Sequence, residues 1–378
     1  MLVPSGPSGP SGPRGPVVAV DATPIIAGTT GVARYARQLL DALGEAGVEL
    51  VPFAIGRSSR PIPADLVHCP IPLRVVQRLW AATGRPRAEQ LLKGRRADLV
   101  HSLDLAPAPT RLPLVMTVHD LCAIEHPDLH PAVSVEQQRR QLADIHRASA
   151  VLAVSRATAD ALVRRGVPAG LVEVVGLGFS PLGAPVPVDG VAAPFIFAVG
   201  TLHPRKGYDV LVRAAAWCPD VPIVIAGPDA GAGPALTALA ESLGLGSLGL
   251  GSRIRWLGPV SDGQLAWLYQ HATVLAFPSR AEGFGLPVLE AMAAGLPVVA
   301  TDLPVLRELG GDAVRFVPVS DPEALGRALA ELTGDDGARS EQRRAGLVRA
   351  SAYSWAATAA ATAACYQRVA RRARRGAG

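Results

Sequence analysis

ATVLAFPSRAEGFGLPVLEAMAAGLPVVATD, residues 272–302, reads as one strand–loop–helix–strand unit. ATVLAFPS and PVVATD are short apolar runs of strand length. Between them Pro287 stands near the first helical position, where its fixed φ and missing N–H are tolerated. The turn before it, with Gly283, Phe284, Gly285 and Leu286, presents unpaired N–H groups and the positive end of a helix dipole, which makes an anion site. Glu282 lies before the helix and Glu290 about one turn inside it. Carboxylates accept hydrogen bonds from paired hydroxyls, so the order acid, amides, acid suits a ligand built as sugar, phosphate, ribose. Two glutamates this far apart also occur on solvated surfaces; the Gly-Phe-Gly-Leu-Pro turn between them favours the ligand.

The same alternation extends in both directions. VVAV, VELVPFA, DLVHS, PLVMTVHD and AVLAVS precede the unit, as do FIFAVG, VPIVIAG and RIRWLG, and AVRFVP follows it, with helical patterns between. Short apolar runs alternating with helices predict parallel strands joined by crossover helices. Residues 176–194 break the pattern with a Gly- and Pro-rich stretch. The expected organisation is an arm over residues 1–16, a Rossmann-like domain over 17–180, a linker over 181–194 and a second Rossmann-like domain over 195–350. A final helix with a basic tail, 351–378, is expected to cross back to the first domain. The fold class is thus α/β, two doubly wound domains facing across a cleft at the carboxyl ends of their strands, where ligands of open sheets bind.

The 378 residues are 49% apolar and 18% charged, a globular composition. The four cysteines include no C-x-x-C pair, which argues against a zinc site and a disulfide framework and fits a reducing cytoplasm. The opening MLVPSGPSGPSGPRGP lacks the apolar core of a signal peptide and reads as a flexible arm. No run is apolar enough to predict a membrane span. The net charge of +5 owes much to Arg368, Arg371, Arg372, Arg374 and Arg375. That tail suits peripheral contact with an anionic membrane at its inner face; a solvated basic helix end is the alternative. No aromatic residues interleave the arginines, so a nucleic-acid platform is not expected.

AEGFGLPVLEAMAAGLPVVATDLPVLRELGGDA, residues 281–313, resembles the signature of the retaining family 4 glycosyltransferases, with Glu282 and Glu290 in the E-x7-E positions. Similar stretches are DATPIIAGTTGVARYARQLLDAL, TVHD at 117–120, VSRATADAL at 154–162, VGTLHPRKGYDVLV at 199–212 and IRWLGPVSDGQLAWLYQHA at 254–272. The resemblance implies the GT-B fold, the donor held mainly by the carboxyl-terminal domain and the acceptor by the amino-terminal one. Glu290 would hold the ribose hydroxyls. Glu282, with the amides of Phe284 and Gly285 beside Gly283, would hold the hexose, and Leu286 would give its amide to the phosphate.

HPRKG supplies Arg205 and Lys206, fixed cations that would stabilise the departing diphosphate in place of a metal. Many relatives carry an arginine directly after the preceding strand glycine, where this chain has Thr201. Read without the family, HPRKG is a solvated basic turn. Gly28 and Gly31, in GTTG, would approach the diphosphate on closure, or merely start a helix. The spacing is not the G-x-G-x-x-G of a dinucleotide binder. His119 would lie against the donor sugar near the anomeric carbon, with Asp120 orienting it or capping the next segment; a lone strand-end histidine is otherwise structural.

The implied activity is retaining transfer of a hexose by a front-face route, with no metal and no cofactor; no D-x-D occurs. The HPRKG variant is similar to that of bacterial mannosyltransferases, which ranks GDP-mannose ahead of UDP-hexoses as donor. The acceptor is a hydroxyl on an unspecified glycan, glycolipid or small molecule. The alternatives are a sugar-nucleotide epimerase or hydrolase, and a non-catalytic nucleotide-sugar-binding partner.

Overall fold

The computed structural model describes residues 15–27, 31–58, 61–218, 221–246 and 253–376. Most of the expected arm therefore lies outside the described residues, as does Gly28.

The first sheet contains β1 (Val18–Asp21), β2 (Leu50–Ile55), β3 (Val67–Cys69), β4 (Leu99–Ser102), β5 (Leu114–Val118), β6 (Ala150–Ala153) and β7 (Val172–Val174), in the order β3-β2-β1-β4-β5-β6-β7. The second contains β8 (Ile196–Val199), β9 (Ile223–Ala226), β10 (Ile254–Gly258), β11 (Val274–Phe277), β12 (Val298–Thr301) and β13 (Arg315–Val317), in the order β10-β9-β8-β11-β12-β13. Neighbours run parallel, as in the pairings of β1 with β2 and β4 and of β8 with β9 and β11. In each sheet the chain winds outward from the first strand, then returns to its other side, so both are doubly wound. The central strands are buried along their whole length, which is why their sequences read as unbroken apolar runs rather than alternations.

Two strands escape the sequence pattern. β3 and β7 are three residues each and close the two edges of the first sheet. Edge strands need less apolar content, and VHC and VEV carry little.

The chain forms two compact units. The first takes the residues up to Thr117, Arg147–Val151 and the C-terminal segment from Ala359; the second takes Val118–His146 and Leu152–Thr358. Residues 175–195 hold no helix or strand, only an isolated bridge from Phe179 to Ser354. Val118–His146 groups with the second sheet because its first residues are packed backbone to backbone against the loop after β11, as described below.

In the second unit the core is built from Ile196, Ala198, Leu211, Ile225, Val274, Ala276, Leu325 and Leu329, all at most 1% exposed, and buries one face of the sheet under helices. In the first unit a buried polar chain crosses the core. The Tyr366 hydroxyl, on the helix Trp355–Gly376, lies 2.6 Å from Nδ1 of His101. Nε2 of His101 lies 2.8 Å from Oγ1 of Thr117, which is 3.0 Å from the Tyr35 hydroxyl. All four residues are at most 1% exposed, so these hydrogen bonds replace water that none of them can reach.

Candidate functional site

The helix Leu286–Ala293 follows β11 after the loop 278–285. Gly285 is its N-cap at φ 97°, and a Cβ there would press on the Leu306 side chain. No side chain caps this end. Val288 and Leu289 donate to the Gly285 carbonyl, Pro287 has no N–H, and the amides of Gly283, Phe284, Gly285 and Leu286 find no protein acceptor among the described residues. Four amides without a protein acceptor among the described residues and a dipole end therefore share one loop, an arrangement that suits an anion.

Gly283 sets where that loop lies. A side chain on it would collide with the carbonyl oxygen of His119 and with Cβ of Asp120. Its own carbonyl accepts from Oγ of Ser155 at 2.8 Å and Oγ1 of Thr158 at 3.3 Å. Ser155 also caps the helix Arg156–Arg164, whose first amides, Arg156 and Ala157, donate to the Glu308 carboxylate at 2.7 and 3.1 Å. His119 itself is partly exposed and follows β5 directly. Asp120 caps the next segment, Oδ1 accepting the Cys122 amide at 2.9 Å.

Glu282, Arg205 and Lys206 form one largely buried cluster, with the Arg205 side chain about one-fifth exposed. Lys206 Nζ donates to Glu282 Oε1 at 2.5 Å, and Arg205 Nη1 lies 3.1 Å from Oε2. Arg205 also donates to the Ala281 carbonyl at 2.7 Å, and the Lys206 ammonium sits 5.1 Å from the centre of the Phe277 ring. Burial alone would raise the Glu282 carboxyl, but the two cations outweigh it and hold the group at about 2. Burial, with Arg205 beside it, pushes the Lys206 ammonium down, against the pull of Glu282. One carboxylate between two cations leaves the cluster with a net positive charge.

The turn 203–207 is fixed to the loop from β11. A Cβ on Gly207, at φ 65°, would collide with the Pro278 carbonyl. Arg280 donates its amide to the Arg205 carbonyl at 2.7 Å and clasps Asp209 through both terminal nitrogens at 2.8 and 2.7 Å. Beside Arg205 the rings of His130 and His203 stand 5.1 Å apart. Both imidazoles are pushed below their ordinary range by burial, then by neighbouring positive charge, chiefly Arg205 at His130 and His130 at His203. A cavity of about 400 Å³ borders Glu282 and Arg280 on one side and Asp120, Cys122 and Thr158 on the other.

Glu290, on the inner face of Leu286–Ala293, is 7% exposed. Its Oε2 accepts from the Tyr269 hydroxyl at 2.8 Å, and Tyr269 meets Phe197 of β8 edge to face at 5.4 Å. Gly31 belongs to the first unit, where it opens the helix Gly31–Glu45 with open space around it. Among the described residues no group of three or more His, Cys, Asp or Glu could hold a metal ion.

The second unit thus brings together Glu282, Arg205, Lys206, the four amides, Glu290 and the backbone of His119. The sequence reading did not anticipate Tyr269, Phe277, His130, His203, or the grip of Ser155 and Thr158 on Gly283. Ser155 lies in the stretch VSRATADAL, but its bond to Gly283 joins positions 128 residues apart and leaves no local trace.

Residues 191–348 match the family model described as glycosyl transferases group 1, and residues 29–181 match glycosyltransferase family 4. A D-inositol 3-phosphate glycosyltransferase of Mycolicibacterium gilvum is 31% identical, covering 90% of this chain and 86% of that protein. An O-antigen chain mannosyltransferase B of Escherichia coli is 28% identical over 74% of each. Among solved structures, a sucrose-phosphate synthase of Thermosynechococcus elongatus superposes with a TM-score of 0.75 at 22% identity, covering 94% of this chain and 99% of that one. An Anabaena protein in complex with UDP and glucose gives 0.69 at 20% identity, covering 91% and 97%. The two doubly wound sheets are those of the GT-B fold.

Proposed function

The chain belongs to the family 4 glycosyltransferases, of glycosyltransferase group 1, and we propose that it moves a hexose from a nucleoside-diphosphate sugar to an acceptor hydroxyl with the anomeric configuration kept. One observation carries the reading: the loop that offers four amides without a protein acceptor among the described residues also holds Glu282, which Lys206 and Arg205 grip from the neighbouring turn. The amides take the diphosphate, and Glu282 takes hexose hydroxyls. Charge grows on the diphosphate as the bond to the anomeric carbon breaks, and the cluster's surplus positive charge stabilises that state more than the ground state.

A carboxylate held at about 2 between two cations is a weak base and a weak nucleophile. That favours a front-face route, in which the departing phosphate oxygen takes the acceptor proton, over a covalent Glu282 intermediate. Arg205 and Lys206 supply the positive charge that a metal would otherwise bring, so turnover is expected to persist in chelator. Glu290, anchored by Tyr269, is the group for the ribose hydroxyls, and His119 the one nearest the anomeric carbon.

Mannose is the favoured hexose, with GDP-mannose as donor ahead of UDP-hexoses. The Escherichia coli relative is named a mannosyltransferase, whereas the Anabaena neighbour was solved with UDP and glucose. Thermal melting in the presence of GDP- and UDP-sugars ranks the donors, since a ligand at about 100 times its Kd stabilises by ~2.7 kcal/mol. Transfer is then followed by NMR of the product anomer. A donor consumed to an epimer without any acceptor, or an unchanged rate in Glu282→Gln, would sink the reading.

We place the enzyme in the cytoplasm, at the inner face of a membrane. Among the described residues no helix is long and apolar enough to cross one. Arg371, Arg372, Arg374 and Arg375 are exposed on the last helix, and the helix Leu73–Thr83 exposes Val75 and Leu79, each directly after an arginine, Arg74 and Arg78. Sedimentation with phosphatidylglycerol vesicles, lost on replacing the four tail arginines with glutamate, is the test; equal sedimentation with neutral vesicles would refute it.

A further inference from the structure

One cavity of the first unit, of about 270 Å³, lies at the carboxyl ends of its strands. Asp21 ends β1 and Ser102 ends β4; the two are register partners, and both line the cavity. Strands β1 and β4 are where the order of the first sheet reverses, since β2 and β3 lie on one side of β1 and β5 on the far side of β4. Open parallel sheets bind their ligands at that reversal, outside the carboxyl ends of the strands.

The chemistry of the walls is specific. Leu73, Trp80, Leu103 and Ala106 give an apolar side. The Trp80 N–H is already spent on the Pro86 carbonyl at 2.8 Å, so the indole offers only its ring. Asp21 is 7% exposed, and Asp104 stands beside it on the cavity wall. Oδ1 of each is committed to a local amide, Thr23 at 3.0 Å and Leu105 at 2.7 Å, which leaves both Oδ2 atoms without a backbone donor among the described residues. Gln77, Thr23 and Ser102 are the neutral polar groups, and among the described residues the lining contains no Lys, Arg or His.

We propose that this cavity is the acceptor subsite and that it selects an uncharged polyol or sugar ring, held by its hydroxyls on Asp21 and Asp104 and by its carbon face on Trp80, while rejecting phosphorylated acceptors. The assignment as an acceptor site rests on the glycosyltransferase reading above; the selectivity rests on the cavity alone. A ring stacked on an aromatic wall with carboxylates at its rim uses every group present. A phosphate dianion would face two carboxylates in a concave, partly dry site without a cation to offset them, and such like-charge contact costs several kcal/mol. Burial, with the Asp104 charge adding to it, already lifts the Asp21 carboxyl to about 6. A further negative charge is poorly accommodated there.

The test is calorimetric binding to the full chain, saturated with whichever nucleoside diphosphate stabilises it, using matched pairs of probes. myo-Inositol is paired with inositol 3-phosphate, and N-acetylglucosamine and mannose with their 6-phosphates, each up to about 50 mM, well above the weak millimolar range. At least one uncharged probe is expected to bind saturably, with its phosphorylated partner at least about 30-fold weaker, the equivalent of ~2 kcal/mol. Asp104→Asn, at an exposed position, is expected to shrink that ratio to within about threefold. Its unaltered response to the nucleoside diphosphate reports an intact fold. Tighter binding of a phosphorylated probe, no binding by any uncharged probe, or an unchanged ratio in Asp104→Asn overturns the proposal. If an uncharged probe binds but no nucleoside diphosphate does, the donor reading fails and the cavity's selectivity stands.

Discussion

The hydroxyl of Ser155 donates to the carbonyl of Gly283 at 2.8 Å, and on the opposite side Gly283 lies against the carbonyl oxygen of His119. The amide-bearing loop is therefore clamped by a helix start and a strand end, both far away in sequence. Its donors are placed before any ligand arrives, which is what makes them effective toward charge that develops only in the transition state.

Gly283→Ala tests the clamp from inside. The added methyl has backbone on its path, so the loop must retreat from His119 and carry Glu282 and the Phe284 amide with it. Because a displacement of about 1 Å at such groups costs on the order of 100-fold, kcat/KM for the donor should fall by at least that factor. Ser155→Ala removes the cap and one of two bonds, at ~0.5–2 kcal/mol of stability. Its melting temperature should drop by a few degrees and its rate by less than in Gly283→Ala. Equal rates for Gly283→Ala and the parent would show that the loop position does not matter.

The Glu282 cluster predicts an acid limb in stability. The folded carboxyl sits at about 2 against an ordinary value of 4.5, so the folded state binds fewer protons between those values. Its contribution is complete above about pH 4.5 and is lost as the pH falls toward about 2; in full it amounts to ~3 kcal/mol as an upper bound. Melting temperatures of the parent and Glu282→Gln, measured from pH 6 downward, should therefore converge as acid is added. Curves that stay parallel would mean the carboxyl is not held low.

Lys206→Met should separate catalysis from binding. The ammonium is packed on Phe277 and bonded to Glu282, and methionine keeps the stem while deleting the charge. With the cluster's surplus charge gone, kcat is expected to fall about 100- to 1,000-fold, in the range found when one preorganised donor is removed. Affinity for the nucleoside diphosphate alone should change less than tenfold. A loss confined to affinity would reassign Lys206 to ground-state binding.

Much of this was legible because the parallel strands are buried on both faces. Runs such as FIFAVG and PVVATD announce themselves, and Pro287 after Gly285 announces a helix start. The three-residue edge strands β3 and β7 did not, since an edge tolerates VHC or VEV without an apolar run. At the site, Glu282 and Glu290 could be picked out on either side of the Gly-Phe-Gly-Leu-Pro turn, and Arg205 and Lys206 through the family resemblance of HPRKG. That Arg205 and Lys206 share the Glu282 carboxylate could not, because the pairing spans 76 residues and depends on Gly207 fitting under the Pro278 carbonyl. Tyr269 was hidden for a different reason: a tyrosine on a buried helix face reads as core, and its bond to Glu290 is visible only in the fold.

Tyr269→Phe follows from that task. The ring and its contact with Phe197 remain, while Glu290 loses a hydrogen bond inside a buried site. A bond to a charged group contributes ~1.5–3 kcal/mol, so nucleoside-diphosphate affinity should weaken about tenfold or more. If Glu290 holds the ribose, the loss should be larger for a ribonucleotide than for its 2′-deoxy counterpart. An identical loss for both would place Glu290 elsewhere on the ligand.

Tyr366→Phe probes the first unit instead. The hydroxyl is bonded to Nδ1 of a histidine with no exposed surface, and His101 passes the chain on to Thr117 and Tyr35. Deleting the hydroxyl removes a buried hydrogen bond from one side only, which costs ~1–3 kcal/mol, whereas replacing both partners by apolar groups avoids much of the penalty. Tyr366→Phe should therefore lower the melting temperature and speed hydrogen exchange along residues 359–376. Adding His101→Leu should restore part of the loss rather than add to it, because both sides of the buried bond are then apolar. Nucleoside-diphosphate binding should be unchanged in both, since no residue of this chain of bonds lies in the donor cluster. Purely additive destabilisation in the double variant would show that the histidine contributes by packing, not by its bond to Tyr366.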